Sequence, residues 1–400
     1  MLVVKKFGGT SVGNPDRIQS VALRCAQDYK AGKEVVVVLS AMGKVTDELI
    51  ALAGKVNENP SKREMDMLLS TGEQTSVALL AMALDAIGIP AISLNAYQVP
   101  MLTTSDYGNA KLRRIDTGRI RRELESRKVV IITGFQGLNK LDDITTLGRG
   151  GSDTTAVALA ASLHADVCEI FTDVDGVYTA DPRLVPNAKK LLEISYDEML
   201  ELASLGAQVL HNRSVELAKK YGVEVIVRSG ILNTEGTLVK EEANVENMMV
   251  SGVAADLNTA KITVTGLKDE PGSAFRLFDL LANNSINVDA ILQTGGQHGK
   301  HEIAFIVARN FTKKVIALIE ENKTKLKIES VESDETVAKI SVVGAGIQSN
   351  PGMAARMFEA LYNAGINILM IATSEIRITV IIKEVDMEKA VRTVHDALVD

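Results

Sequence analysis

Lys6-Phe7-Gly8-Gly9-Thr10-Ser11 follows the apolar run Leu2-Val3-Val4, with Lys5 between, and this junction decides how the amino-terminal half is read. The apolar run has strand character, and glycines at a strand's end let backbone N–H groups converge on an anion without interference from Cβ. A second stretch of the same kind is Gly148-Arg149-Gly150-Gly151-Ser152-Asp153-Thr154-Thr155. It opens an Ala- and Leu-rich helical run over 154–163, whose amino terminus adds a field favourable to anions. Each stretch carries one cation, Lys6 or Arg149, beside hydroxyls. Either alone reads equally well as a tight strand-to-helix turn. Together they suggest two phosphorylated or carboxylated ligands meeting, and point to a phosphotransferase.

Short apolar runs at 35–39, 91–94, 129–132 and 169–172 alternate with helical patterns such as 76–87 and 196–210. Such alternation predicts an α/β fold, a mainly parallel sheet with helices on both faces. Ligands on such sheets collect at the carboxyl ends of the strands, where both glycine stretches fall. The run 223–227 reads as the last strand of this half, before a Gly- and Asn-containing connection over 230–236.

Beyond about residue 245 the chain repeats itself. Pro271-Gly272 aligns with Pro351-Gly352, and Arg276, Phe278, Leu281, Ile286 and Asn287 then fall on Arg356, Phe358, Leu361, Ile366 and Asn367. Each copy reads as strand, Pro-Gly turn, amphipathic helix and a second strand beginning at the Asn, with further strands at 302–308 and 377–383. The expected division is a catalytic domain over 1–245 and two small α+β modules over 260–333 and 334–400. A strand from 247–258 is available to complete the second.

Composition sets the frame. Four hundred residues suggest two or three domains, and 46% apolar with 24% charged residues is the balance of a globular protein. A net charge of −7 gives no reason to expect nucleic acid or an anionic membrane as partner. The Arg-rich stretch 113–128 contains Asp116, Glu123 and Glu125 and reads as a solvated helix face. Cys25 and Cys168 are the two cysteines, which argues against a disulfide framework and fits a reducing cytosol. With no signal-peptide pattern and no apolar run of membrane-spanning length, a cytoplasmic location is expected.

Common phosphoryl-transfer signatures are missing, both G-x-x-x-x-G-K-[ST] and G-x-G-x-x-G. The motifs present, in order, are Lys6 to Ser11, Ser40-Ala41-Met42, Ser70-Thr71-Gly72-Glu73, Gly148 to Asp153, Thr172-Asp173-Val174-Asp175-Gly176-Val177-Tyr178, Asp181-Pro182-Arg183 and Ser195-Tyr196-Asp197-Glu198-Met199. This series resembles the amino-acid kinase family and, within it, the aspartokinases, over essentially the whole chain. The carboxyl-terminal repeat is similar to the paired ACT modules of those enzymes. The resemblance implies a three-layer αβα kinase domain followed by two ferredoxin-like ACT domains. The implied reaction is ATP-dependent phosphorylation of the side-chain carboxylate of L-aspartate, an early step towards lysine, threonine and methionine. A carboxylate nucleophile is ionised above about pH 4 and needs no general base, which suits a chain without a compelling catalytic histidine.

By the same resemblance Lys6 stabilises the transferring phosphoryl group and Asp153 positions Lys6 or magnesium, while Lys5 reads as a surface lysine. The resemblance places the α-carboxylate of aspartate on Arg149, the α-ammonium on Glu73, and the rest of the amino acid among Ser40, Thr46, Gly150, Gly151 and Ser152. It assigns the nucleotide to Lys6, Phe7, Gly8, Gly9, Ser11, Thr172, Asp173, Tyr178 and Arg183. Magnesium is expected to arrive with ATP, with no dedicated metal site on the protein. The ACT resemblance implies an amino-acid effector, lysine with or without threonine. It would bind at Asp269, Gly272, Ser273, Ala274, Asn287, Val288, Asp289 and Gln293 in the first copy, and at Met353, Ala354, Asn367, Ile368, Ser374 and Glu375 in the second. Pairing of modules between chains implies at least a homodimer, and Met248 and Met249 stand where a small subunit with an internal start could begin. One departure is marked. Where the family reads Gly-Ala-Lys-Val-Leu-His-Pro, this chain has Gly206-Ala207-Gln208-Val209-Leu210-His211-Asn212, and Arg183 is expected to replace the missing lysine. His211 reads as a cap or a packed polar residue. Two other readings stay open, a sibling kinase for another acidic metabolite and an inactive amino-acid sensor.

Overall fold

A computed structural model describes residues 1–205, 209–242, 249–295 and 300–399. Gln208 and Met248 lie outside the described residues. The chain divides into two compact units, Met1–Val177 with Lys190–Ser204 and Gln208–Val245, and Tyr178–Lys189 with Leu205–Ala207 and Glu246–Asp400.

The first unit is built on an eight-stranded sheet. Its strands run in the order Glu193–Ser195, Thr237–Lys240, Val225–Ser229, Val167–Thr172, Leu2–Phe7, Glu34–Leu39, Val129–Thr133 and Ala91–Leu94. All neighbours are parallel except Val225–Ser229 with Thr237–Lys240. The central strands read as continuous Val and Ile runs because both sheet faces are covered. On one face the helices Pro15–Lys30 and Lys62–Ala86 contribute Ile18, Val21, Cys25, Leu80 and Leu84 to a core with Val3, Phe7 and Val37. On the other lies the largely buried helix Gly151–Leu163.

Side-chain alternation along Leu2–Phe7 sends neighbouring lysines to opposite faces. Lys5 is no surface lysine: it is 3% exposed, paired with Asp28 and, at 2.7 Å, with Glu169. Lys33 joins Asp28 at 2.6 Å and Arg228 joins Glu169 at 3.2 Å. The sequence expectation failed because Lys5's carboxylate partners lie far along the chain.

Other boundaries also moved. The helix expected over 76–87 is Lys62–Ala86, so Ser70-Thr71-Gly72-Glu73 lies mid-helix. The pattern over 196–210 breaks into Tyr196–Ser204, followed by Asn212–Tyr221. The Arg-rich stretch is a strand, Leu112–Ile115, then a helix, Gly118–Glu125. That strand belongs to a four-stranded sheet in the order Leu112–Ile115, Met101–Thr103, Gln136–Leu138, Ile144–Thr146. Three of its strands are three residues long, too short to show a period. Among the described residues one helix, Lys62–Ala86, is long and apolar enough to cross a membrane, and 44% of its apolar window is buried in the unit.

The second unit holds two four-stranded antiparallel sheets. One is ordered Ile291–Gly295, Lys300–Val307, Ala260–Lys268, Ser330–Asp334, and carries the helices Ser273–Asn283 and Thr312–Glu321. The other is ordered Gly252–Asp256, Val337–Val343, Arg377–Lys383, Met370–Thr373, and carries Met353–Asn363 and Met387–Leu398. Gly272 and Gly352, the glycines of the Pro-Gly turns, have φ of +92° and +100°, a conformation that side chains disfavour. The strands expected at Asn287 and Asn367 begin later, at Ile291 and Met370.

Replacing Lys5 with Met takes the most deeply buried cation away from two largely buried carboxylates, leaving each with one partly exposed partner. Lys5→Met should lower the unfolding free energy of the first unit by about 3 kcal/mol, read from urea melts. A change under about 1 kcal/mol would show that Lys33 and Arg228 suffice alone.

Candidate active site

The carboxyl ends of Leu2–Phe7, Glu34–Leu39 and Val129–Thr133 open onto a cleft of about 930 Å³. Its lining includes Lys6, Gly9, Ser40, Thr46, Glu73, Arg149, Gly150, Gly151, Ser152 and Asp153. Lys6 Nζ lies 2.6 Å from Asp153 Oδ1, and both residues are 9% exposed. Asp153 occupies the first turn of Gly151–Leu163, so strand end and helix start are joined by a single ion pair in the cleft.

Glycines make this approach possible. Gly150 caps the helix at φ +66°, and a Cβ there would lie 2.3 Å from the His211 ring. Gly9 could not carry a side chain either, since its Cβ would lie 2.7 Å from the Ala41 carbonyl oxygen.

Glu73 is the group with the least compensation. It is 3% exposed; Oε1 accepts the Ala41 N–H at 3.0 Å, and Oε2 is buried with no partner. Burial pushes its carboxyl up to about 7, against the hydrogen bond from Ala41. Arg149 is exposed at the cleft, and no carboxylate pairs with it among the described residues. The site therefore offers a cation for one carboxylate, a carboxylate for one cation, and a lysine held ready beside an aspartate.

Other expected nucleotide residues gather elsewhere in this unit. Gly8 N–H donates to the Phe171 carbonyl at 3.1 Å, and Gly230 N–H to the Thr172 carbonyl at 2.7 Å. A Cβ on Gly230 would lie 2.0 Å from Ser11 Oγ, itself buried without a partner. Thr172 Oγ1 donates to Asp173 at 3.0 Å. Phe7 offers only backbone to a ligand, because its ring is buried and stacked on Phe171 at 4.4 Å. Tyr178 and Arg183 belong to the other unit, where Arg183 pairs with Asp181 at 2.7 Å.

Asp66, Lys62, Tyr107, Asn109, Phe135 and Thr146 also line the cleft and were missed. Asp66, Ser70 and Glu73 recur at helical spacing on a buried face, a polar stripe that sequence alone displays. Among the described residues no cluster of His, Cys, Asp or Glu is arranged to hold a metal ion.

In the second unit, Asp269 pairs with His301 at 2.8 Å and Ser273 Oγ donates to the Lys268 carbonyl at 2.9 Å. Asn287 and Gln293 are exposed, Ala274 and Val288 half-buried. Asp289 does not stand open: Lys339 Nζ holds it at 2.7 Å and Arg377 approaches at 3.7 Å, so its carboxylate ties one module to the other. In the second copy Asn367, Ser374 and Glu375 are exposed, Ala354 and Ile368 half-buried. Met353 is a core side chain, 4% exposed.

The amino acid kinase family model matches residues 1–229, and an ACT domain model matches residues 340–398. The chain belongs to the amino acid kinase family. It is 49% identical over 397 residues to an aspartokinase of Bacillus sp. (strain MGA3), covering 99% of this chain and 97% of that one. Among solved structures it is similar to E. coli aspartokinase III in complex with aspartate and ADP, the R-state, at TM-score 0.83 and 27% identity, with both chains covered fully. The T-state of that enzyme, in complex with lysine and aspartate, matches at TM-score 0.78 and 28% identity over the same extent. The kinase family model thus covers the unit holding the Lys6–Asp153 cleft.

Because Glu73 titrates near 7 in the folded protein and near 4.5 without burial, the native state holds a proton that the unfolded chain releases between those values. Its contribution to stability is fully present below about pH 4.5 and lost as pH rises through 7. Glu73→Gln should therefore raise the urea midpoint of this unit at pH 8 and leave it unchanged near pH 4.5. Equal midpoints at both pH values would mean that Glu73 is solvated in solution.

Proposed function

We propose that this chain is a feedback-regulated aspartate kinase, transferring the γ-phosphate of ATP to the β-carboxylate of L-aspartate to give 4-phospho-L-aspartate and ADP. The observation that carries the site assignment is the meeting of Lys6, Asp153, Glu73 and Arg149 around one cleft. A carboxylate oxygen attacks the γ-phosphorus, a new P–O bond forms, and the bond to the β-phosphate oxygen breaks; no proton changes hands. The barrier is then set by alignment and by charge, since two anions must be held together.

Arg149 binds the α-carboxylate through its guanidinium fork. Glu73, its Oε2 otherwise unpartnered, receives the α-ammonium, with Ser40, Thr46 and Ser152 beside the side chain. Lys6 meets the charge that develops on the transferring group, and Asp153 holds it there. The backbone N–H of Gly9, with Gly8, whose own N–H is taken by the Phe171 carbonyl, and Ser11, Thr172 and Asp173, is assigned to the nucleotide. A magnesium ion arriving with ATP would be held by the phosphates, with Asp153 the cleft carboxylate placed to orient it, and would supply charge neutralisation there. We assign the second unit to amino-acid effectors, lysine with or without threonine, and the working enzyme to at least a cytoplasmic homodimer.

The decisive assay is ADP release with L-aspartate and with L-glutamate. Turnover with aspartate alone is expected; turnover with glutamate only identifies a sibling kinase, and none with either an inactive sensor. Lys6→Ala should lower kcat by about a thousandfold and leave the aspartate KM within a few-fold. Loss of aspartate binding with intact turnover would move Lys6 into the amino-acid pocket. In the regulatory unit, Ser374→Ala or Asn287→Ala should weaken inhibition by lysine or threonine while the uninhibited rate holds. An uninhibitable wild-type enzyme would end the effector assignment.

A further inference from the structure

The residues flanking Arg149 are held by side chains of other elements, two of them, Arg213 and Asp66, charged residues. Arg213, on the first turn of Asn212–Tyr221, makes no salt bridge with a carboxylate among the described residues, and Glu216, three residues on, lends it only a favourable charge at longer range. Its Nη1 donates to the Leu147 carbonyl at 2.6 Å and to Asn109 Oδ1 at 3.3 Å, and its Nη2 to the Ala110 carbonyl at 2.8 Å. Two residues earlier, His211 caps the same helix through Nδ1, which accepts the Arg213 N–H at 3.4 Å, and its ring packs on Gly150. One turn of chain thus grips Leu147 and Gly150, on either side of Arg149. The same two stretches are held a second time by Asp66, 1% exposed. It accepts the N–H groups of Gly108 at 2.9 Å and Thr146 at 2.8 Å, and the Thr146 hydroxyl at 2.7 Å.

We propose that the turn His211–Arg213 is the positioning element of the amino-acid clamp, with Arg213 fixing the loop that aims Arg149. A guanidinium spent on two carbonyl oxygens and an amide oxygen is costly to desolvate and makes no ion pair in return, so a loosely tethered surface loop does not call for it. Its effect is to remove the freedom of Gly148 and Gly150, both at positive φ on either side of Arg149. Arg149 then presents its fork already oriented, and the amino acid need not order the loop on binding. This rests on the assignment of Arg149 to the α-carboxylate.

The test is steady-state kinetics on the full chain, with a double-mutant cycle. Arg213→Ala should raise the aspartate KM about tenfold and leave the ATP KM within about twofold, with Arg213→Lys between wild type and Ala. Once Arg149→Ala has removed the clamp, adding Arg213→Ala should raise the aspartate KM no further. Multiplying effects of the two substitutions, or equal rises in both KM values, would overturn the proposal and make Arg213 a general support of the fold. If Arg213→Ala does not fold, Arg213→Lys and Arg213→Gln carry the same cycle. An unchanged aspartate KM in Arg149→Ala sinks the assignment of Arg149 and the proposal together. A raised KM there, with none in Arg213→Ala, sinks the proposal alone.

Discussion

A lysine at the end of a buried strand and an aspartate in the first turn of a buried helix, 2.6 Å apart, fix where chemistry can happen in this protein. Both are largely withdrawn from water, so each depends on the other; an unpaired charge at that depth would be expelled or neutralised. Both side chains line the cleft. The sheet order that sets Leu2–Phe7 between Val167–Thr172 and Glu34–Leu39, and the glycines that let a helix begin against it, both serve to hold this contact.

Around that pair the site is asymmetrically charged. Glu73 is buried with half of its carboxylate unsatisfied, while Arg149 waits at the cleft without a carboxylate. On the assignment proposed above, an amino acid bearing an ammonium and a carboxylate would complete both at once, turning a cost in the empty site into selectivity for the ligand. The elevated Glu73 carboxyl follows from the same burial, and on the proposed assignment an arriving ammonium would draw it back into its ionised form.

Much of this was legible in the sequence for a definite reason. Gly9, Gly150 and Gly151 are needed where the Ala41 carbonyl, the His211 ring and the Phe135 and Leu147 side chains crowd the chain, so they mark the cradles in the linear chain itself. The repeat of the carboxyl-terminal half survives because Gly272 and Gly352 each serve one left-handed turn. What sequence could not give was long-range pairing. Lys5 looks like an ordinary surface lysine until Asp28 and Glu169 are brought to it. Asp289 looks available until Lys339 closes on it. The short strands around Met101–Thr103 have no period to read, so the edge of the cleft they form, with Asp66 and Thr146, was missed.

The central claim is that Asp153 acts by holding Lys6, not by taking a proton. Single-turnover formation of 4-phospho-L-aspartate by Asp153→Asn, followed across pH 6 to 9, tests it most directly. The account predicts a rate lower by about a hundredfold or more at every pH, with ADP and aspartate affinities nearly unchanged. A rate within about threefold of wild type, or a defect that vanishes as pH rises, would contradict it.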